Sequence, residues 1–201
     1  KYLNKLFKSS ILYGRHNLDQ VSVNQNGLKI EAAMAFGTGH HATTVGCLLA
    51  LEYLIKKGWF FRNIADIGCG TGVLAMAAAK VCKSNAVACD IDEVAVATAK
   101  ANFRANGLSA KISLFKSNGF KNFQIKKRAY YDLIFANILA NPLCKLAREF
   151  LQCTQKKGFI ILSGILDRQA NRVERYYVTN GFRRVWVNSI DQWTTIIMRR
   201  S

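Results

Sequence analysis

From about residue 60 onward the chain alternates short apolar or β-branched runs with longer stretches of helical periodicity, the pattern of a parallel sheet covered by helices on both faces. It predicts strands over Asn63–Ile67, Ala86–Asp90, Lys111–Phe115, Asp132–Ala136 and Phe159–Ser163. Helices are predicted over Val73–Cys82, Glu93–Asn106, Leu143–Cys153 and Arg168–Asn180, with Asn106–Gly107 and Asn180–Gly181 as stop signals. The tail breaks the rhythm. Phe182–Ile190 and Thr194–Met198 are extended runs with no helix between them, so they are expected to pair as an antiparallel hairpin. Upstream, Ala42–Lys57 reads as a helix with Thr43 or Thr44 as N-cap, and Val21–Val23 and Leu28–Glu31 flank Asn26–Gly27 as a small hairpin. Residues 1–12 read as a short amphipathic helix. Five parallel strands closed by an antiparallel hairpin make a Rossmann-like α/β sheet, mostly parallel, with helices on both faces.

The 201 residues, half of them hydrophobic, are enough for one compact domain. No apolar run approaches the roughly 20 residues needed to cross a bilayer, and the first residues lack a secretory signal, so a soluble, cytoplasmic protein without membrane contact is expected. Six scattered cysteines form no CxxC pair and read as buried thiols of a reducing compartment, with no metal site. The net charge of +17 would attract polyanions such as RNA or the ribosome, although Lys and Arg are spread along the chain and a general compositional bias gives the same excess. Four of the twelve acidic residues, Asp66, Asp90, Asp92 and Glu93, fall together, which points to a site.

That site centres on Asp66-Ile67-Gly68-Cys69-Gly70-Thr71-Gly72, between a predicted strand and a predicted helix. Glycines there let the chain turn sharply and let a ligand approach backbone N–H groups, with Gly68 and Gly70 foremost. Asp90, ending the next strand, is placed to accept hydrogen bonds from both hydroxyls of a ribose. These features suit NAD as well as S-adenosylmethionine. The spacing D-x-G-x-G-x-G differs from the dinucleotide pattern G-x-G-x-x-G, and a carboxylate at Asp66 would repel a pyrophosphate but suits the ammonium and sulfonium charges of S-adenosylmethionine. Asp92 and Glu93 read as charges at a helix N-terminus.

Two further segments stand beside it. The loop Met34-Ala35-Phe36-Gly37-Thr38-Gly39-His40-His41 feeds a helix carrying Thr43 and Thr44. A capped helix after a flexible turn accounts for the threonines but not for Phe36, a candidate cofactor contact, or for His41, which either orients or deprotonates a substrate group or is polar loop surface. Downstream, the strand ending at Ala136 runs into Asn137-Ile138-Leu139-Ala140-Asn141-Pro142. Asn137 and the carbonyl after it offer two acceptors that hold an amine and aim its lone pair, although Asn at a strand end is also a common turn former.

Together, AFGTGHHATT, DIGCGTG with CDID, NILA and LSGIL (162–166) resemble the bacterial ribosomal protein methyltransferases known as PrmA, over essentially residues 30–200. The resemblance implies methylation of amino groups of protein eleven of the large ribosomal subunit with S-adenosyl-L-methionine, and cofactor contacts at Thr44, Gly68, Asp90 and Asn137. The sequence departs from the family at Glu31-Ala32-Ala33, where Asp-Pro-Gly is usual, and at Ala42, which replaces a common Pro. The family's separate N-terminal recognition domain has no counterpart here. Residues 1–30 are expected to be a linker and lead-in segment, and residues 31–201 the methyltransferase domain. Two other readings remain open: an RNA or DNA methyltransferase, which the charge favours but which would want an aromatic residue where Leu139 and Ala140 stand, and a non-catalytic scaffold that only binds the cofactor.

Overall fold

A computed structural model describes residues 42–201, together with the strand backbone at residues 12–13 and 28–29. Strands β1 (Leu12–Tyr13) and β2 (Leu28–Lys29) pair in parallel, Leu12 opposite Leu28. This pairing takes up one edge of β2 and does not bear on the hairpin expected around Asn26–Gly27, which would use the other. The first arm of that hairpin, Val21–Val23, lies outside the described residues, as does the helix expected before Leu12.

The body of the fold runs α1 (Ala42–Lys56), β3 (Asn63–Ile67), α2 (Val73–Val81), β4 (Asn85–Asp90), α3 (Glu93–Ala105), β5 (Ile112–Lys116), a short helix α4 (Phe123–Lys127), β6 (Tyr131–Asn137), α5 (Ala140–Cys153), β7 (Thr154–Leu166), α6 (Asp167–Thr179), β8 (Phe182–Ile190) and β9 (Trp193–Arg200). Seven strands form one sheet in the order β5-β4-β3-β6-β7-β9-β8. All neighbours pair in parallel except at β9, which runs antiparallel between β7 and β8. The β8–β9 turn holds Asp191 and Gln192 at φ 47° and 67°, left-handed at both central positions as a two-residue hairpin loop requires.

Alternation along the strands sorts side chains to two cores. Ile64, Leu133, Phe135, Phe159 and Ile161 pack under α1 and α2, while Ala65, Ile134, Ala136, Ile160 and Leu162 pack against α5 and α6. Strands buried on both faces read as continuous apolar runs, which is why β3, β4 and β6 stand out in the sequence.

Helix α5 begins at Ala140, ahead of the expected Leu143, and two further details differ from expectation. Helix α1 begins at Ala42, so Thr43 and Thr44 lie inside its first turn, buried, instead of capping it. Strand β7 begins at Thr154, well before Phe159, because Thr154 pairs with Tyr131 across a register shift that polar Gln155–Lys157 gave no sign of.

Candidate active site

The strand order reverses direction at β3, whose neighbours are β4 and β6, and open α/β sheets bind ligands beyond the carboxyl ends of the strands at such a point. The glycine turn forms one side of the candidate site. Gly68, Gly70 and Gly72 have φ of 73°, 53° and 76°, a left-handed region costly for any other residue. The N–H groups of Gly68 and Cys69 donate to the Cys89 carbonyl at 2.8 and 2.9 Å, fixing the turn to β4. Gly72 has a packing role: a Cβ there would lie 2.4 Å from the Phe103 ring. Buried Asn102 donates to the Thr71 carbonyl at 2.9 Å, a constraint no sequence motif announces.

Two carboxylates serve this turn in different ways. Asp90 Oδ2 accepts from the Gly70 N–H at 2.8 Å and Oδ1 from the Asp92 N–H at 3.1 Å. Each oxygen keeps a further acceptor site for a ligand hydroxyl. Asp66 is fully buried on the α2 side, where Oδ2 accepts from the Ala75 N–H at 2.9 Å. Its Oδ1 has no hydrogen-bond partner. Burial pushes the Asp66 carboxyl up to about 7, the Ala75 N–H works against that, and the negative charge of Asp90 adds to it. Asp92 is the N-cap of α3, accepting from the Val94 N–H at 3.0 Å, as its position before a helix led us to expect.

The β6 turn forms the other wall. Ile138 is wedged between two glycines: a Cβ on Gly68 would lie 2.3 Å from Ile138 Cγ2, and one on Gly164 would lie 2.5 Å from the Ile138 carbonyl oxygen. The first glycine of DIGCG and the glycine of LSGIL thus let this turn sit between the ends of β3 and β7. Asn137 is half-buried, pairs in register with Ser163, and by alternation lies on the same face as Asp66. Beyond it lies a cleft of about 310 Å³ lined by Leu139, Ala140, Pro142, Gly164, Gln169 and Trp193, among others.

The N-terminus of α1 reaches the same region. Ser163 Oγ donates to the Thr43 carbonyl at 3.2 Å and lies 2.8 Å from Thr195 Oγ1, while Gly46 approaches Thr195 so closely that a Cβ would fall 2.1 Å from that oxygen. Next to this clamp, Thr44 Oγ1 is buried and unpartnered. Thr44, Asp66, Gly68, Gly70, Asp90 and Asn137 therefore all belong to the end of the fold where the strands terminate. Phe36 and His41 lie outside the described residues. Gly164 lies in the LSGIL run, whereas Trp193 and Gln169 carry no mark of their own in the sequence. Trp193 reaches the cleft only because β9 inserts beside β7, an order that periodicity does not encode; the bend at Asp191–Gln192 before it was the one local signal.

The site suits an S-adenosylmethionine-like ligand on the structure's own terms. Among the described residues three buried side-chain oxygens lack partners, and two of them, Asp66 Oδ1 and Thr44 Oγ1, lie at this end of the fold, a condition uncommon unless something else satisfies them. An anionic pyrophosphate fits poorly beside Asp66 and Asp90, whereas a cation would offset their charge. Among the described residues no cluster of His, Cys, Asp and Glu suits a metal ion. The described cysteines are unpaired, and burial pushes thiols such as Cys82 and Cys89 up to about 11 and about 12.

Sheet order, glycine turn and strand-end acid define a class I methyltransferase fold. The chain belongs to the ribosomal protein L11 methyltransferase (PrmA) family, whose model matches residues 9–201. Proteins named ribosomal protein L11 methyltransferase from Caulobacter sp. (strain K31) and Mesorhizobium japonicum are 41% and 42% identical to it over 189 and 188 residues, 94% of this chain in each case. The chain spans 65% and 64% of the length of those two relatives. A crystal structure of a ribosomal protein L11 methylase from Lactobacillus delbrueckii subsp. bulgaricus superposes with a TM-score of 0.83 at 26% identity, covering 98% of this chain and 96% of that one. An RNA methyltransferase from Salinibacter ruber, in complex with S-adenosyl-L-homocysteine, shares the fold at 14% identity and a TM-score of 0.56, over 69% of this chain and 80% of that one.

Proposed function

We propose that this chain is the catalytic domain of a protein N-methyltransferase that moves methyl groups from S-adenosylmethionine to amino groups of the large-subunit ribosomal protein that its relatives are named for. The observation that carries the reading is the placement of Asn137. Asn137 closes β6 on the face of Asp66, beside the glycine turn, and an uncharged cleft lined by Leu139, Gly164 and Trp193 begins two residues further along the chain. When bound, S-adenosylmethionine supplies an electrophilic methyl group on a sulfonium.

The chain's own residues do the rest. Asp90 holds ribose hydroxyls with its free acceptor sites, Asp66 and Thr44 take up the polar end of the cofactor, and Gly68 and Gly70 keep the turn open. Phe36 is proposed as a further cofactor contact and His41 as a group that orients or deprotonates the substrate amine. Asn137 accepts from the amine N–H groups and directs the lone pair, while the apolar lining excludes water and favours the neutral amine. Alignment of two reactants, not acid–base chemistry, supplies most of the rate. Leu139, 69% exposed where base-modifying enzymes place a stacking ring, argues against a nucleobase as acceptor. The proposed setting is the cytoplasm, where ribosomal proteins are made, and residues 31–201 are proposed as the methyltransferase domain after a linker over residues 1–30.

Incubation of the chain with labelled cofactor and ribosomal protein, followed by ribonuclease or protease, tests this. Label that survives ribonuclease and is released by protease on peptides with modified amines supports the reading. Label confined to nucleic acid overturns it.

A further inference from the structure

The loops at the amino ends of the parallel strands form the pole opposite the candidate active site. Loops 57–62, 126–130 and 154–158, which lead into or lie at the start of the neighbouring strands β3, β6 and β7, carry Lys57, Arg62, Lys127, Arg128 and Lys157 and contain no acid. They make one surface. Asn63 Nδ2 donates to the Arg128 and Tyr130 carbonyls at 2.9 and 3.3 Å, and Arg199, from the end of β9, donates through Nε to the Lys157 carbonyl at 3.1 Å. Of the acids near this end, Asp132 turns inward, accepting from the backbone N–H groups of Arg62 and Asn63 at 2.6 and 3.1 Å, and Glu52 is paired with Lys56 at 2.6 Å. The acids of the strand ends, Asp90, Asp92, Glu93, Asp167 and Asp191, lie at the other pole. Among the described residues, acids thus gather at the carboxyl ends of the strands while the loops at the amino ends carry cations alone.

Aromatic rings stand among these cations. Phe60 is 87% exposed and Tyr130 65%, while Trp59 is held by an edge contact to Phe159 at 4.8 Å and by the Arg199 guanidinium 4.6 Å above its ring. Exposed rings among loops that carry cations and no acid of their own suit a partner that is both anionic and aromatic.

We propose that this pole binds single-stranded RNA, with Lys57, Lys127 and Lys157 contacting phosphates and Phe60 and Tyr130 offering faces to unpaired bases. The surface lies at the far end of the strands from Asn137, so the proposal stands independently of the methyl-transfer reading. It gives a ribosome-directed enzyme a hold that leaves the catalytic end free.

The test is fluorescence anisotropy of a short labelled oligouridylate with the full chain over a series of salt concentrations. The triple variant Lys57→Glu, Lys127→Glu, Lys157→Glu is expected to bind at least about tenfold more weakly, and the slope of log K against log salt should fall by about 2, the loss of three single-strand phosphate contacts. A control of equal charge change on helix surfaces, Lys100→Glu, Lys145→Glu, Arg175→Glu, is expected to lose much less. Phe60→Ala should weaken oligouridylate binding by roughly fivefold or more and leave heparin binding unchanged, because heparin has no bases to stack. Thermal unfolding of every variant shows that the fold is intact, and cofactor binding is read separately. Equal losses from the two triple variants would overturn the proposal in favour of diffuse charge. An unchanged affinity for Phe60→Ala would remove base stacking, and an acidic protein that binds this pole more tightly than RNA would reassign it to a protein partner.

Discussion

Gly68 and Ile138 meet at the carboxyl ends of neighbouring strands so closely that a methyl group on the glycine would fall 2.3 Å from Ile138 Cγ2. The contact joins the cofactor turn to the turn that presents Asn137, so the spacing of the two halves of the site is set by packing before any ligand arrives. Gly68 also sits at φ 73°, where a side chain costs about 1–2 kcal/mol. Gly68→Ala is therefore expected to lower the melting temperature by roughly 3–8 °C. Adding Ile138→Ala should return part of that loss, since it removes the clash but not the backbone strain. Strict additivity of the two changes in thermal unfolding would mean that the contact is not what couples the turns.

Asp66 makes stability depend on pH in an unusual direction for a carboxylate. Burial raises its folded-state pKa from the usual 3.8 to about 7, so between those values the folded protein holds a proton that the unfolded chain has released. The stabilisation is complete below pH 4 and fades as pH rises through 7. Asp66→Asn removes this dependence. Its melting temperature should rise relative to the parent between pH 5 and pH 8, while its affinity for the cofactor falls. In the parent, a cation bound beside Asp66 lowers that pKa, so cofactor binding near pH 6.5 should release protons, measurable by calorimetry in buffers of different ionisation enthalpy. Binding without proton release, together with a flat difference in melting temperature, would show that Asp66 is already ionised.

The strand-end acid gives a cleaner affinity test. Asp90→Ala removes the acceptor proposed for two ribose hydroxyls, each hydrogen bond to a charged group being worth about 1.5–3 kcal/mol, and it frees the Gly70 N–H from its 2.8 Å partner. Calorimetry should show at least a tenfold weaker cofactor. Asp90→Asn keeps a neutral acceptor for Gly70 and should lose less. An unchanged dissociation constant for the alanine variant would take Asp90 out of the cofactor site.

The sequence made the centre of the sheet legible because β3, β4 and β6 are buried on both faces and carry unbroken apolar runs. It also exposed Asp66 and Asp90, since the glycine turn and the next strand end are close along the chain. What it hid depends on long-range placement. Thr154–Gly158 is too polar to read as strand, yet it extends β7 through pairing with Tyr131. Thr43 and Thr44 look like caps and are instead packed into the first turn of α1 against β7 and β9. Trp193 joins the cleft through a strand order that one sequence does not specify, and the polarity of the basic surface becomes visible only when loops far apart in sequence share one pole.

The central claim is that the end of β6 aims an amine at the transferable methyl group, and Asn137→Ala tests it most directly. Single-turnover methylation of the ribosomal protein at saturating cofactor should slow by about a hundredfold or more, because alignment is lost, while the cofactor dissociation constant changes by no more than about tenfold. A variant that binds the cofactor and transfers methyl at the parent rate would contradict the account.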